Sequence, residues 1–124
     1  MDAAWRARSY AGVRTLINNR PDDEDPGQLP AAEAQRLAKA HGIAYHHIPV
    51  TAASLSRADV EAFAAVLGSA PQPVVAHCRS GTRSTLIWAL TRLREGADPS
   101  VLVAEAARHG IDIAALPAFA ARLE

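Results

Sequence analysis

Hydrophobic positions in this chain fall into short apolar runs that alternate with longer stretches of helical spacing. The short runs are rich in β-branched residues and predict strands at 13–17, 43–50 and 73–77. The longer stretches predict helices at 3–11, 31–40, 56–67, 81–94, 101–108 and 112–123, the last one restarting near Pro117. This alternation predicts an α/β fold, in which helices flank a mainly parallel sheet in a three-layer arrangement.

Composition and charge exclude several classes of function. A chain of 124 residues that is 49% hydrophobic and 21% charged is typical of one globular domain, here residues 1–124. Thirteen basic residues balance thirteen acidic ones, so charge gives no reason to expect nucleic acid or an anionic membrane as a partner. No apolar run is long enough to span a membrane, and the N-terminus lacks the apolar core of a signal peptide. We therefore expect a cytoplasmic protein.

The candidate chemistry lies between the last predicted strand and the longest predicted helix. Cys78, the only cysteine, directly follows the strand, and Gly81 gives the backbone the freedom to turn sharply. The N–H groups of such a turn and the dipole of the next helix favour an anion, so they also favour a thiolate. We predict that Cys78 is the nucleophile and that Arg83 binds a substrate oxyanion. Further anion-binding groups are predicted at Arg79, Ser80, Gly81, Thr82 and Ser84.

A small, inert core residue is the alternative interpretation of Cys78. That interpretation does not explain why two arginines, a glycine and three hydroxyl residues follow the cysteine within six positions. It also does not explain their placement at a strand-to-helix turn, where ligands of open α/β sheets bind. We therefore favour the catalytic interpretation.

Polar residues near other strand ends are weaker candidates. Asn19, Arg20 and Asp22 follow the first predicted strand and are predicted to support the site, although ordinary turn residues would look the same. The pair at positions 46 and 47 consists of adjacent strand histidines, which point to opposite faces, so no metal site is predicted. Ser56 and Asp59 have the spacing of a helix N-terminal cap.

The cysteine loop and two further segments resemble known families. The run from Cys78 to Arg83 is similar to the signature of protein tyrosine phosphatases, but four residues separate the cysteine and the arginine where those enzymes have five. It is also similar to the six-residue rhodanese loop. Residues 16–22, 45–50 and 77–84 together resemble the phosphatase-like domain of β-lactamase-hydrolase-like proteins, over about residues 13–120.

The resemblance implies a protein-tyrosine-phosphatase-like fold, here with a shortened N-terminal edge of the sheet. It also implies that His77 helps to orient the loop, although a buried structural histidine fits that position equally well. Members of the family are described as phosphatases or as sulfurtransferases. The resemblance therefore leaves the reaction open.

Two reactions of Cys78 compete. A phosphatase that works through a phosphocysteine needs a general acid, and residues 51–55, where the resemblance places it, contain no carboxylate. Sulfur transfer through a persulfide needs no strong acid, and a shorter loop forms a smaller cradle that suits a single sulfur atom. We therefore favour sulfur transfer, with phosphate monoester hydrolysis as the alternative and a non-catalytic oxyanion-binding domain as a third hypothesis.

These hypotheses share their expected ligands. No cofactor and no metal is predicted. The expected substrate is a small anion, namely thiosulfate, a persulfide or a phosphate ester. A sulfur-acceptor protein or a persulfide dioxygenase is an expected partner if the reaction is sulfur transfer.

Overall fold

The structure, a computed structural model, describes residues 12–124. Its sheet contains three parallel strands in the order β2-β1-β3, namely β1 (Thr15–Asn18), β2 (Ala44–His47) and β3 (Val74–His77). The helices of this part of the chain are α1 (Ala31–Ala40), α2 (Arg57–Ser69), α3 (Thr82–Arg94), α4 (Pro99–Arg108) and α5 (Leu116–Leu123). The helix predicted at 3–11 and the predicted shortening of the N-terminal edge concern residues outside the described range.

Helices lie on both faces of the sheet because adjacent strand residues point in opposite directions. Ile17 of β1 belongs to the main hydrophobic core, which α2, α3, α4 and α5 supply with side chains such as Phe63 and Ile87. Its neighbour Leu16 is also buried but lies outside that core. Helix α1 packs against β2 and buries a row of alanines. The predicted three-layer α/β fold is therefore confirmed.

The parallel register brings the carboxyl ends of the three strands to one edge of the sheet. Asn18, the last residue of β1, pairs with His47 on β2 and with His77 on β3. Hydrogen bonds continue beyond the strands, because Asn19 donates its backbone N–H to the carbonyl of His77 at 2.8 Å. Residues that follow each strand are thus held together, and Cys78 is one of them.

The ends of the predicted helices differ from the structure in places. The prediction that a helix begins at 112 is wrong, because α5 begins only at Leu116. The side chain of Asp112 accepts a hydrogen bond from the backbone N–H of Ala114 at 2.9 Å. Such a bond offers the backbone an alternative to helix formation. In contrast, the predicted cap of α2 is confirmed, since Ser56 and Asp59 form a reciprocal capping box.

Within residues 12–124, none of the helices combines the length and the apolar character that crossing a membrane requires.

Candidate active site

The loop from Cys78 to Gly81 connects β3 directly to α3. Gly81 has a φ of 91°, in the left-handed region where a residue with a side chain would be strained. This conformation directs the backbone N–H of Gly81 at the sulfur of Cys78, with a distance of 3.1 Å between the nitrogen and Sγ. Helix α3 has no side-chain cap and no acidic residue in its first turn. No side chain of the helix itself therefore caps its N-terminal N–H groups or offsets the positive end of its dipole.

The surroundings of Cys78 favour its thiolate. Burial acts to raise the pKa of the thiol, but hydrogen bonds from the backbone N–H groups of Ser84, Ser80 and Gly81 outweigh it. The pKa of Cys78 is therefore lowered from its ordinary value. Because the thiolate is the nucleophilic form of cysteine, this environment increases the reactive fraction at neutral pH.

Ser84 connects the cysteine loop to the ends of the other two strands. Its hydroxyl donates to Oδ1 of Asn19 at 2.8 Å, and Nδ2 of Asn19 donates to the carbonyl of Ile48 at 2.9 Å. Both side chains are buried. A hydroxyl has one hydrogen to donate, so in this arrangement the hydrogen of Ser84 is directed at Asn19 and not at the sulfur. The chain of bonds fixes the start of α3 against the segments that follow β1 and β2.

Arg83 is held in place by a carboxylate that lies far from it in sequence. Its Nη1 and Nη2 atoms donate to the two oxygens of Glu24 at 2.7 and 2.9 Å, and Nη1 also donates to the carbonyl of Val50 at 2.9 Å. The hydrogen bond with Glu24 raises the pKa of Arg83, and the same contact lowers the pKa of Glu24. Glu24 is therefore ionised at neutral pH and orients the guanidinium beside Cys78.

Two more arginines lie at the rim of the site and meet at one carboxylate. Arg20 donates its Nε to Glu24 at 3.0 Å and also forms an ion pair with Asp25. Arg79 places its Nε 3.1 Å from the same Oδ2 atom of Asp25, and 66% of its side chain is exposed. Arg79 thus points outwards, while Arg20 links the two acidic side chains of its own segment.

His77 directly precedes Cys78 and is uncharged at neutral pH. Burial lowers its pKa, helped by the positive charge of Arg20 and by His47, to about 4. A neutral imidazole adds no positive charge next to the thiolate. The stabilisation of the Cys78 anion therefore comes from N–H groups and from Arg83, not from an imidazolium.

The remaining predicted site residues are distributed differently. Ser80 and Thr82 are exposed at the loop, with their hydroxyls 3.4 Å apart. Asp22 accepts the backbone N–H of Ala31 at 2.8 Å and so caps the start of α1. Sequence reasoning missed Glu24, although the acidic segment 22–25 was a signal that a carboxylate of this region faces the arginines.

The sequence profile of the β-lactamase hydrolase-like protein, phosphatase-like domain, matches residues 1–95. The chain belongs to this family. β-Lactamase hydrolase-like proteins from Xylella fastidiosa and Agrobacterium fabrum are 38% identical over 85 residues and 34% identical over 116 residues. These matches cover 68% and 93% of this chain but only 20% and 27% of the relatives, which are therefore much longer.

Solved structures give the same assignment of fold. A crystal structure described as a proposed phosphatase from Neisseria meningitidis matches with a TM-score of 0.82 and 34% identity, over 100% of this chain and 87% of the other. A second proposed phosphatase, from Shewanella putrefaciens, matches with a TM-score of 0.62 and 28% identity, over 77% and 60% of the two chains. The phosphatase-like fold implied by the sequence resemblance is therefore confirmed, and the domain is a hydrolase-like one.

The sequence resemblance places a general acid in the segment after β2. Thr51 and Ser54 hydrogen-bond to each other there, at 3.0 Å between their hydroxyl oxygens. No carboxylate belongs to residues 51–55, and Asp59 is engaged by Ser56 in the cap of α2. This segment therefore supplies no carboxylic acid to the site. Among the described residues, no cluster of His, Cys, Asp and Glu side chains has an arrangement that would hold a metal ion.

Proposed function

We propose that this domain hydrolyses phosphate monoesters through a phosphocysteine at Cys78. The observation that carries the proposal is the pairing of an activated thiol with a fixed guanidinium: Gly81 donates its N–H to Sγ at 3.1 Å, and Glu24 holds Arg83 through two hydrogen bonds. The matches to a phosphatase-like family and to proposed phosphatases support the same reaction.

The proposed reaction uses each group for a distinct purpose. The Cys78 thiolate attacks phosphorus. Hydrogen-bond donors in fixed positions then stabilise the negative charge on the three equatorial oxygens. The N–H groups at the start of α3 and the guanidinium of Arg83 are the donors that would bind these oxygens. Because Glu24 holds Arg83 before substrate binds, little reorientation is needed during the reaction. Water then releases phosphate and regenerates the thiolate.

Sulfur transfer is a second candidate, supported by the length of the loop. Four residues separate Cys78 from Arg83, and the N–H of Gly81 already contacts the sulfur in this short turn. A persulfide would extend the sulfur into the same group of N–H donors, and its formation from thiosulfate releases sulfite without a strong acid. The sequence alone favours this reaction, whereas the family and structural matches give more support to the hydrolase.

Trapping the covalent intermediate tests both candidates. The wild-type domain is incubated separately with 4-nitrophenyl phosphate and with thiosulfate, then quenched in acid and measured by intact-protein mass spectrometry. We expect release of 4-nitrophenol and a phosphoryl adduct on Cys78, with neither in Cys78→Ser. A sulfur-atom adduct that a reductant removes, without hydrolysis of the phosphate ester, would replace the phosphatase proposal with sulfur transfer. Asp23→Asn serves as a control variant, because Asp23 is an exposed residue of a neighbouring loop.

A further inference from the structure

A small cavity opens beside Arg83, between the segment after β2 and the segment before α5. Its volume is about 170 Å³, and its walls include Leu55, Leu86, Ile113 and Phe119. An engineered apolar cavity of roughly 150 Å³ accommodates benzene, so this one has room for a compact apolar group such as a phenyl ring. Arg83 and Thr82 also line the cavity, so a group bound there lies next to the predicted anion site.

The segment that closes this cavity touches the cysteine loop. A Cβ atom placed on Gly81 would lie 3.5 Å from Cδ1 of Ile111, which is ordinary van der Waals contact. Asp112 follows Ile111 and lines the cavity together with Arg83. The turn described above fixes the carboxylate, since one of its oxygens accepts the N–H of Ala114 at 2.9 Å.

The second oxygen of Asp112 has no partner within residues 12–124, and the residue is exposed to solvent. It is thus accessible both to a group in the cavity and to water. Asp112 combines a fixed position with an uncommitted oxygen atom, which is the arrangement that proton transfer to a bound substrate needs.

Three carboxylates of the acidic segment 22–25 are committed elsewhere. Glu24 is bound by Arg83 and Arg20, which lowers its pKa and opposes a role as a proton donor. Asp25 forms ion pairs with Arg20 and Arg79. Asp22 caps α1. These contacts leave Asp112 as the carboxylate that shares a cavity with Arg83.

We propose that the cavity holds the leaving group of a phosphate monoester with an aromatic or compact apolar alcohol, and that Asp112 is its proton donor. This inference rests on the proposed phosphatase function. Sγ of Cys78 forms a bond to phosphorus, and the phosphorus–oxygen bond to the leaving group breaks. The electron pair stays on that oxygen, which takes the proton of Asp112 and departs as a neutral alcohol.

The second half of the reaction returns the enzyme to its starting state. A water molecule in the vacated cavity attacks phosphorus and gives a proton to the Asp112 carboxylate. The sulfur–phosphorus bond breaks with its electron pair returning to Sγ, and inorganic phosphate leaves. No additional reactant is needed, so the two steps together add water to the ester.

The dependence of the rate on leaving-group basicity tests the role of Asp112. Phenyl phosphate needs a proton on its leaving oxygen, whereas 4-nitrophenyl phosphate leaves readily as an anion. We expect Asp112→Asn to lower kcat/KM for phenyl phosphate by about 100-fold or more, the usual contribution of a general acid. The value for 4-nitrophenyl phosphate should change much less. Asparagine keeps the side-chain oxygen that accepts the Ala114 N–H, so the turn is retained.

Asp98→Asn is the matched control. Asp98 accepts the backbone N–H of Ser100 at 2.8 Å, the same two-residue turn as at Asp112, but it lies at the other end of α4. We expect both substrates to react with this variant at the wild-type rate. Equal losses for the two esters in Asp112→Asn, or no loss, would overturn the role of Asp112 while hydrolysis by the wild type upholds the phosphatase. A folded wild type that hydrolyses neither ester would overturn both proposals.

Discussion

Helices α2 and α3 begin at the same edge of the sheet but differ in how their N-termini are capped. Helix α2 follows β2, and its N–H groups are capped by Ser56 and Asp59, which bind each other's backbone. Helix α3 follows β3 and begins at Gly81, with no side-chain cap and no acid in its first turn. The positive end of the dipole is neutralised in α2 and left for another anion in α3.

The contrast shows how one architecture provides both a stabilised helix end and a thiol of lowered pKa. A capping box stabilises a helix by satisfying N–H groups that would otherwise be unpaired. At α3 the sulfur of Cys78 accepts one such N–H, from Gly81. The stabilisation that capping gives α2 is thus replaced, in α3, by stabilisation of a reactive thiolate.

Among the substitutions that test this contrast, Arg83→Lys should have the largest effect on activity. Arg83→Lys keeps the charge but loses the planar pair of donors that binds Glu24 and an oxyanion. We expect kcat/KM for an aryl phosphate to fall by about 100- to 1000-fold, as when a fixed oxyanion donor is lost. Arg79→Lys is the control: its side chain is 66% exposed, so the loss should be small. A loss in Arg83→Lys as small as that in Arg79→Lys would mean that Arg83 acts only through its charge.

Placing an acid at the start of α3 should make it resemble α2. Thr82 is exposed and is the first residue of α3, so Thr82→Asp adds a negative charge there without disturbing the core. Because like charges repel, the pKa of Cys78 should rise and activity should fall by about 10-fold or more. The measurement is the pH dependence of alkylation by iodoacetamide. Its midpoint should lie at a higher pH in the variant than in the wild type.

The exchange Thr82→Asn controls for the size of the new side chain. It adds no charge, so its alkylation midpoint should stay near that of the wild type. If Thr82→Asp and Thr82→Asn behave alike, the start of α3 does not act on the thiol through charge.

Removing the negative charge of Glu24 should change the alkylation rate of Cys78 and the rate of hydrolysis in opposite directions. In Glu24→Gln the guanidinium of Arg83 loses its anionic partner, so the pKa of Cys78 should fall further and alkylation at low pH should accelerate. Hydrolysis should nevertheless slow by about 10-fold, because Arg83 is positioned less accurately. Asp23→Asn, in the same acidic segment, should change neither. Faster hydrolysis in Glu24→Gln would refute a positioning role for this residue.

The smallest effect is expected at the capped helix. Ser56→Ala removes the side chain that accepts the Asp59 N–H, and it should lower the free energy of unfolding by about 1 kcal/mol. Denaturant unfolding measures this change. The alkylation midpoint of Cys78 should not move, because the start of α2 is separate from the cysteine loop. A shift in that midpoint would show that the two helix ends are coupled.

Local sequence was sufficient to predict the cysteine loop and most of the fold. The hydrophobic periodicity defined the strands and helices within a few residues, and Cys78, Gly81 and Arg83 lie close together in the chain. The partner of Arg83 was not predicted, because Glu24 is 59 residues away in a segment without helix or strand. No periodic pattern indicates the path of such a segment, and four neighbouring acids offered equivalent candidates.

The start of α5 illustrates the same limit. The apolar pattern extends back to position 112, but the side chain of Asp112 bonds to the N–H of Ala114 and forms a turn. Asx turns and helix starts use the same residues, so sequence does not decide between them. The turn also places Asp112 in the wall of the cavity beside Arg83.

Cys78 is the only cysteine among the 124 residues, and this determines how oxidation affects the domain. A thiolate of lowered pKa reacts readily with peroxides and becomes a sulfenic acid. That acid has no second thiol within the domain with which to form a disulfide. Recovery therefore depends on an external thiol such as glutathione, and without one Cys78 proceeds to irreversibly oxidised forms.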